Sequence, residues 1–144
     1  MSRLPWKQHW IKEAFDASER STCERLKVGA VIVRNGKHQV STGYNGSIPG
    51  DEHCIDVGCR VVNNHCTRTI HAEANAILQA ARYGSSLEGT AIYVTHYPCL
   101  KCTQMIISAG INEVYYALDY HNDPYCRELF NKAGIPVQQV KINE

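Results

Sequence analysis

Residues 71–102 read HAEANAILQAARYGSSLEGTAIYVTHYPCLKC, a stretch that holds two short motifs. The first is His71-Ala72-Glu73, and the second is Pro98-Cys99-Leu100-Lys101-Cys102. Alanines and aliphatic residues at helical spacing follow the first motif and predict a helix that ends at Gly84. The apolar run over residues 91–95 then predicts a strand. The stretch therefore predicts a helix, a strand and a second helix that opens at the cysteine motif.

The two motifs supply three candidate metal ligands, His71, Cys99 and Cys102. Three protein ligands leave one tetrahedral position of a zinc ion open, which is typical of a catalytic zinc. A zinc ion lowers the pKa of a water in that position to roughly 7. Both motifs begin predicted helices, whose positive dipole ends favour cysteine thiolates.

Glu73 is the carboxylate that this metal site does not need as a ligand. It lies two residues beyond His71, on the first turn of the same predicted helix. We expect Glu73 to be the catalytic residue that takes a proton from the water and passes protons to a ring nitrogen and a departing amine. A positioned acid/base group of this kind contributes about 10²–10⁴ to the rate.

Each motif alone has another interpretation. A lone CxxC is also typical of a redox pair or of half of a structural zinc site, and a lone HxE at a helix start is also typical of a capping arrangement. Their combination, each at the start of a predicted helix, favours a catalytic site. The pattern H-x-E followed by P-C-x-x-C is a known signature of zinc deaminases.

The composition favours one ordinary globular domain over residues 1–144, with 44% hydrophobic and 20% charged residues. A net charge of +1 does not favour a nucleic-acid partner. No apolar run approaches the roughly 20 residues that span a bilayer, so we expect no membrane partner. The seven cysteines and an N-terminus without an apolar core favour a reducing, cytoplasmic location.

The rest of the chain predicts alternating helices and strands around that central stretch. Such alternation predicts a three-layer α/β domain with a five-stranded sheet. The further predicted elements are a helix over about 6–19, strands over 28–33 and 39–44 joined by an Asn35-Gly36 turn, an irregular stretch over 45–68, a helix over 99–109, a strand over 113–117, a helix over 124–133 and a strand over 137–142.

From about residue 4 to residue 140, the chain resembles the cytidine/deoxycytidylate deaminase superfamily. It is most similar to the deoxycytidylate (dCMP) deaminases, including the bacterial form encoded in competence operons. The resemblance implies a three-layer α-β-α cytidine-deaminase-like fold with a mixed five-stranded sheet. Beyond the two motifs it rests on Ser21-Thr22-Cys23, Val28-Gly29-Ala30-Val31-Ile32, Gly43-Tyr44-Asn45-Gly46-Ser47, His53-Cys54 and residues 74–77, 93–97 and 128–135.

The resemblance implies a zinc enzyme that hydrolyses dCMP to dUMP for thymidylate synthesis. It also implies a homohexamer that dCTP with Mg²⁺ activates and dTTP inhibits. By the same likeness, Asn45 would hold the deoxyribose and base, Glu73 and the Ala72 backbone N–H would contact the pyrimidine edge, and Tyr97 would line the pocket.

Residues for the 5′-phosphate and the effector are less distinct in the sequence, since each could equally be a solvated surface residue. The candidates near the pocket mouth are Arg25, Lys27, Tyr120 and His121. The resemblance puts the effector at the loop 46–50, which begins with Gly46 and Ser47, together with Arg25 and Arg82.

A second group of cysteines comprises Cys23, Cys54, Cys59 and Cys66, with His65 beside the last. Phage-type relatives carry a structural zinc with cysteines at the positions of Cys23 and Cys54. Here Thr69 stands where those relatives have an acidic ligand, so Cys59, His65 or Cys66 could complete a second site. Buried, reduced cysteines that pack as small hydrophobic residues are the alternative.

Two rival functions remain open at this point. One is a different deaminase on the same fold, acting on a tRNA adenosine, on guanine or on free cytosine. The near-neutral charge speaks against tRNA, and the cysteine-rich stretch before His71 favours dCMP. The other is a non-enzymatic zinc module for DNA uptake, which would have no use for an unliganded Glu73.

Overall fold

The computed structural model of the chain describes residues 3–120 and 123–142. None of the helices in these residues is long and apolar enough to cross a lipid bilayer. In chain order the elements are α1 (Trp6–Ser18), β1 (Gly29–Arg34), β2 (His38–Tyr44), β3 (Gly46–Ser47), α2 (Cys54–Val57), β4 (Val61–Val62), β5 (His65–Cys66), β6 (Thr69–Ile70), α3 (Ala72–Arg82), β7 (Ala91–His96), α4 (Leu100–Ser108), β8 (Glu113–Leu118), α5 (Pro124–Ala133) and β9 (Val137–Gln139).

Five strands form the main sheet, in the order β2-β1-β7-β8-β9. Strand β1 is antiparallel to both β2 and β7, whereas β7, β8 and β9 run parallel to one another. The predicted mixed five-stranded sheet is therefore confirmed. The last strand is shorter than the predicted span 137–142, because it ends at Gln139.

Helices cover both faces of this sheet. Trp10, Ile11 and Ala14 of α1 pack on one face against alternate residues of β1 and β7. Helices α3, α4 and α5 pack on the other face, where Ala76, Ile106 and Phe130 lie in one buried cluster. Since both faces are covered, β1 and β7 are buried along nearly their whole length. The predicted three-layer architecture is confirmed.

The first hairpin turns where the sequence predicts it. Asn35 and Gly36 adopt φ angles of 55° and 69°, the left-handed conformations that such a turn requires and that Asn and Gly tolerate best. The Lys37 amide donates to the Arg34 carbonyl at 3.2 Å and closes the turn. The returning strand β2 then runs toward the helix that carries Glu73.

Strand β2 and helix α3 approach each other at backbone distance. A Cβ atom at Gly43 would lie 2.3 Å from the Ala72 carbonyl oxygen and 2.5 Å from the Ala76 nitrogen. The Ser41 hydroxyl donates to the Ala76 carbonyl at 2.5 Å, and the side-chain Nδ2 of Asn75 donates to the Tyr44 carbonyl at 2.6 Å. These contacts hold the first turns of α3 at one height along the strand.

The stretch over residues 45–68, predicted to be irregular, contains short regular pieces. Strand β3 pairs with β6, and β4 pairs with β5 in a small hairpin. A one-turn helix, α2, begins at Cys54. Each piece is only two to four residues long, which is too short to produce a periodic apolar pattern that could predict it.

We expect Gly43→Ala to lower the free energy of unfolding by about 1–3 kcal/mol, because the new methyl group would collide with the α3 backbone. The exposed His38 in the same strand supplies the control, and His38→Ala should change the stability by less than about 0.5 kcal/mol. Urea unfolding of both variants measures this. Equal stabilities would contradict the close approach of β2 to α3.

Candidate active site

His71 and Cys99 each immediately precede a helix in an extended backbone conformation, with φ/ψ of −69°/154° and −71°/173°. Neither side chain caps its own helix. Both side chains are therefore free to turn toward the space between the two helix starts. The sequence predicts that the helices include these residues, but the structure begins them one residue later, at Ala72 and Leu100.

The three candidate ligand atoms meet in that space. The Nδ1 atom of His71 lies 3.4 Å from the Cys99 sulfur and 3.3 Å from the Cys102 sulfur. Zinc bonds of about 2.3 Å to sulfur and 2.0–2.1 Å to nitrogen put tetrahedral ligand atoms about 3.5–3.8 Å apart. The arrangement fits a metal ion with three protein ligands.

The hydrogen bond between the two thiols sets their protonation. It lowers the pKa of Cys99 to about 4 and raises the pKa of Cys102. Cys102 is buried, whereas Cys99 is partly exposed and His71 lies at the surface of the cavity. One thiolate is therefore already favoured in the pair, and thiolate is the form that binds metal.

Glu73 lies within the first turn of α3, and only 4% of its surface is exposed. Burial raises the pKa of its carboxyl to about 7, while the nearby His71 acts in the opposite direction. A carboxyl group with a pKa near neutrality both accepts and donates protons at physiological pH. Its position beside the His71, Cys99 and Cys102 cluster is the one that the sequence predicts for a proton carrier.

A cavity of about 440 Å³ opens next to this cluster. His71, Glu73 and Cys99 lie at its wall, and so do the predicted substrate-binding residues Asn45, Ala72, Tyr97 and Tyr120. His121, the remaining predicted substrate residue, lies outside the described residues. The catalytic and substrate candidates of the described chain thus share one cavity.

Asn45 is buried and holds the segment that precedes β1. Its Oδ1 atom accepts from the Val28 amide at 2.9 Å, and its Nδ2 donates to the Leu26 carbonyl at 2.6 Å. The Asn45 carbonyl accepts from the Thr22 amide at 3.2 Å. Asn45 therefore shapes the cavity wall through these backbone contacts, a structural task that the sequence did not indicate.

The structure separates the phosphate and effector candidates into three groups. Arg25 lines the same cavity as Glu73. Gly46 and Ser47 line a second cavity of about 530 Å³. Lys27 is exposed and Arg82 lies over the Tyr83 ring, and neither lines either cavity.

The four remaining candidate ligand cysteines also converge. The sulfur atoms of Cys23, Cys54, Cys59 and Cys66 all lie within 4.8 Å of one another. Cys23 is 3.8 Å from Cys59, and Cys54 is 3.6 Å from Cys66. These distances exceed the roughly 2.05 Å of a disulfide and match the edge of about 3.8 Å expected for four thiolates around zinc. His65 is not one of the four and lines the first cavity instead.

Asn64 and His96 are among the residues of the cavity wall that sequence reasoning missed. Asn64 occupies the Asn63-Asn64 turn between β4 and β5, where both residues have positive φ angles. The Asn-Asn pair was the available signal, since asparagine favours such hairpin turns. His96 is half-buried beside the Tyr120 ring, with a centroid distance of 5.7 Å, and burial lowers its pKa.

Fold and cluster together describe a three-layer α/β protein with a His/Cys/Cys metal-binding arrangement and a buried carboxylate. Comparison with known families agrees: residues 4–118 match the family described as cytidine and deoxycytidylate deaminase zinc-binding region. The chain therefore belongs to the cytidine and deoxycytidylate deaminase zinc-binding family.

Individual relatives extend over the whole chain. The chain is 52% identical over 144 residues to ComE operon protein 2 of Bacillus subtilis, and the match spans 76% of the length of that protein. It is 35% identical over 150 residues to the deoxycytidylate deaminase of Saccharomyces cerevisiae, but spans only 47% of that enzyme. The crystal structure of the cyanophage S-TIM5 dCMP deaminase with dCMP and dUMP matches 97% of the chain and all of the phage chain, with 30% identity and a TM-score of 0.83.

Proposed function

We propose that residues 1–144 form a single zinc-dependent domain that hydrolyses dCMP to dUMP and ammonia, supplying dUMP for thymidylate synthesis. The observation that carries this proposal is the buried Glu73 beside the His71, Cys99 and Cys102 cluster, at the wall of a cavity large enough for a small ligand. The yeast relative is named deoxycytidylate deaminase, and the cyanophage enzyme was crystallised with dCMP and dUMP. Both support this substrate.

His71, Cys99 and Cys102 would hold the zinc ion, which lowers the pKa of a water molecule and so supplies a hydroxide near neutral pH. Glu73 would accept the proton of the attacking water and deliver it to the ring nitrogen. It would then carry the second proton of that water to the amine, which departs as ammonia. The oxygen of the water replaces the amine on the pyrimidine carbon, which converts cytosine to uracil.

The first turn of α3 and Asn45 would hold the substrate. The Ala72 backbone N–H belongs to the first turn, whose N–H groups have no partner within the helix, so it is available to the pyrimidine edge. The Asn45 amide uses one N–H for the Leu26 carbonyl and retains a second for the deoxyribose. Tyr97, buried at the cavity wall, would pack against the base.

We propose a second, structural zinc in the four-thiol cluster of Cys23, Cys54, Cys59 and Cys66. Four cysteines close the coordination sphere, as in structural zinc sites. The segment between Cys54 and Cys66 has mostly exposed side chains, so it lacks an apolar core of its own. Metal binding there would supply the order that burial does not. Such thiolate sites suit a reducing cytoplasm.

We propose in addition that the enzyme is a homohexamer that dCTP with Mg²⁺ activates and dTTP inhibits, as the family resemblance implies. The second cavity is the candidate effector site, because Gly46 and Ser47 line it together with Thr42 and Asn75. Asn75 belongs to α3 and bonds the Tyr44 carbonyl. A ligand there would act on the same helix that carries Glu73, which gives a physical route from effector to catalysis.

We expect Glu73→Ala to lower dCMP turnover by about 10²–10⁴ while zinc content and fold persist, because only the proton carrier is removed. Loss of cytosine absorbance with the zinc-loaded protein and dCMP measures this. Glu24→Ala, at an exposed site, is the control and should keep full activity. No turnover by the wild type, or full turnover by Glu73→Ala, would contradict the proposal.

We expect two zinc ions per wild-type chain and one in Cys59→Ser, because that change removes a ligand from the four-thiol cluster alone. Metal analysis after gel filtration measures the ratio. Cys126 is buried outside both clusters, so Cys126→Ser should retain two ions. A wild type with a single zinc would refute the second site.

We expect dCTP with Mg²⁺ to raise turnover at low dCMP and dTTP to lower it. Gln79 is exposed on α3 and lines the second cavity, so Gln79→Glu should weaken activation several-fold by repelling the triphosphate. Gln104→Glu adds the same charge at an exposed site on α4 and should respond as the wild type does. Light scattering of the wild type tests the subunit number, for which we expect six. Identical activation of both variants would exclude this cavity as the effector site.

A further inference from the structure

The small β4–β5 hairpin has a shape that its own turn determines. Val61 pairs with Cys66 and Val62 with His65, and only Asn63 and Asn64 join the two strands. Their φ angles are 51° and 64°, which is the geometry of a two-residue hairpin turn. The Asn64 side chain therefore projects from a defined position at the hairpin tip.

The base of the hairpin is held on both sides. The Thr67 amide donates to the Arg60 carbonyl at 2.7 Å, and the Arg60 guanidinium donates to the Thr67 hydroxyl at 2.7 Å. Cys59 lies two residues before β4 and Cys66 is the last residue of β5, and both belong to the four-thiol cluster. The hairpin is thus anchored at its base to that cluster.

The tip touches one basic residue from a distant part of the chain. The Arg25 Nη2 atom donates to both the backbone carbonyl and the side-chain Oδ1 of Asn64, each at 3.3 Å. Arg25, Asn64 and His65 all line the cavity that contains Glu73. Within residues 3–120 and 123–142, the ion pairs join Arg68 to Asp51 and Lys132 to Glu128, and Arg25 belongs to neither.

These contacts leave the positive charge of Arg25 at the wall of the substrate cavity. The uncharged Asn64 sets the orientation of its guanidinium group. Asn64 engages one guanidinium nitrogen, and the remaining N–H donors of Arg25 stay available. A planar guanidinium binds a phosphate through paired, charge-assisted hydrogen bonds, and its direction decides how well both bonds form.

We infer that Asn64 is a positioning residue for nucleotide recognition, because it turns the Arg25 guanidinium toward the 5′-phosphate of the substrate. This inference rests on the proposed dCMP deaminase activity and adds to it the residue that orients the phosphate-binding cation. The hairpin tip would therefore set the affinity for the nucleotide without touching the reacting base, so its effect belongs in KM and not in kcat.

The test compares Asn64→Gly with Asn63→Gly in the zinc-loaded full chain. Glycine tolerates the left-handed turn at both positions, so the hairpin should persist in both variants. We expect Asn64→Gly to raise the KM for dCMP about tenfold with kcat unchanged, the effect of losing a hydrogen bond to a charged group. Asn63→Gly should retain the wild-type KM.

A double-mutant cycle separates positioning from a general structural effect. Because Asn64 acts through Arg25, Asn64→Gly should have no further effect on KM in an Arg25→Ala background. Zinc content should remain that of the wild type in every variant. Asn64→Asp should raise KM at least as much as Asn64→Gly, since its carboxylate would neutralise Arg25.

Three results would overturn the inference. They are an equal KM for Asn64→Gly and Asn63→Gly, additive effects of the Arg25 and Asn64 changes, or loss of zinc in Asn64→Gly alone. In each of these cases the wild type still converts dCMP, so the proposed function survives. A wild type without dCMP turnover would overturn the proposed function and, with it, the role of Asn64.

Discussion

The meeting of two helix starts is the constraint on which the rest of the site depends. His71 and Cys99 lie 28 positions apart in the sequence, yet their side chains come within 3.4 Å because α3 and α4 begin at the same point above the sheet. A slip of α3 by one turn, about 5.4 Å, would separate them. The backbone contact at Gly43 and the Asn75 hydrogen bond to Tyr44 oppose such a slip.

Elements with a strong local signal were predictable from the sequence. Gly84, Gly110 and Gly134 have φ angles of 72°, 88° and 71°, and each follows the last turn of a helix, beside the helix ends predicted at Gly84, 109 and 133. A strand that is buried on both faces has a continuous run of apolar residues in the sequence. Such runs allowed β1 and β7 to be predicted. The end of β9 was mispredicted, because Val140 and Ile142 are apolar at alternate positions although the strand ends at Gln139.

Features that depend on distances through space were not predictable in the same way. The sequence offered Cys59, His65 and Cys66 as alternative ligands, and only the folded chain brings both cysteines to Cys23 and Cys54. The bond between Arg25 and Asn64 joins residues 39 positions apart and has no sequence pattern. In the same way, only the structure separates Arg25, at the first cavity, from Arg82, which lies outside both.

Different interactions hold the main sheet with its helices and the segment from Cys54 to Cys66. The sheet and its helices depend on a wide apolar surface, so a change at one core position affects many neighbours. The segment from Cys54 to Cys66 converges on a single point, the four sulfur atoms. Lengthening or shortening the chain between those cysteines would leave the core packing untouched. The segment from Cys54 to Cys66 contributes Asn64 and His65 to the wall of the first cavity. Its length and sequence can therefore change in evolution, and the choice of ligand can change with them, while the catalytic framework stays the same.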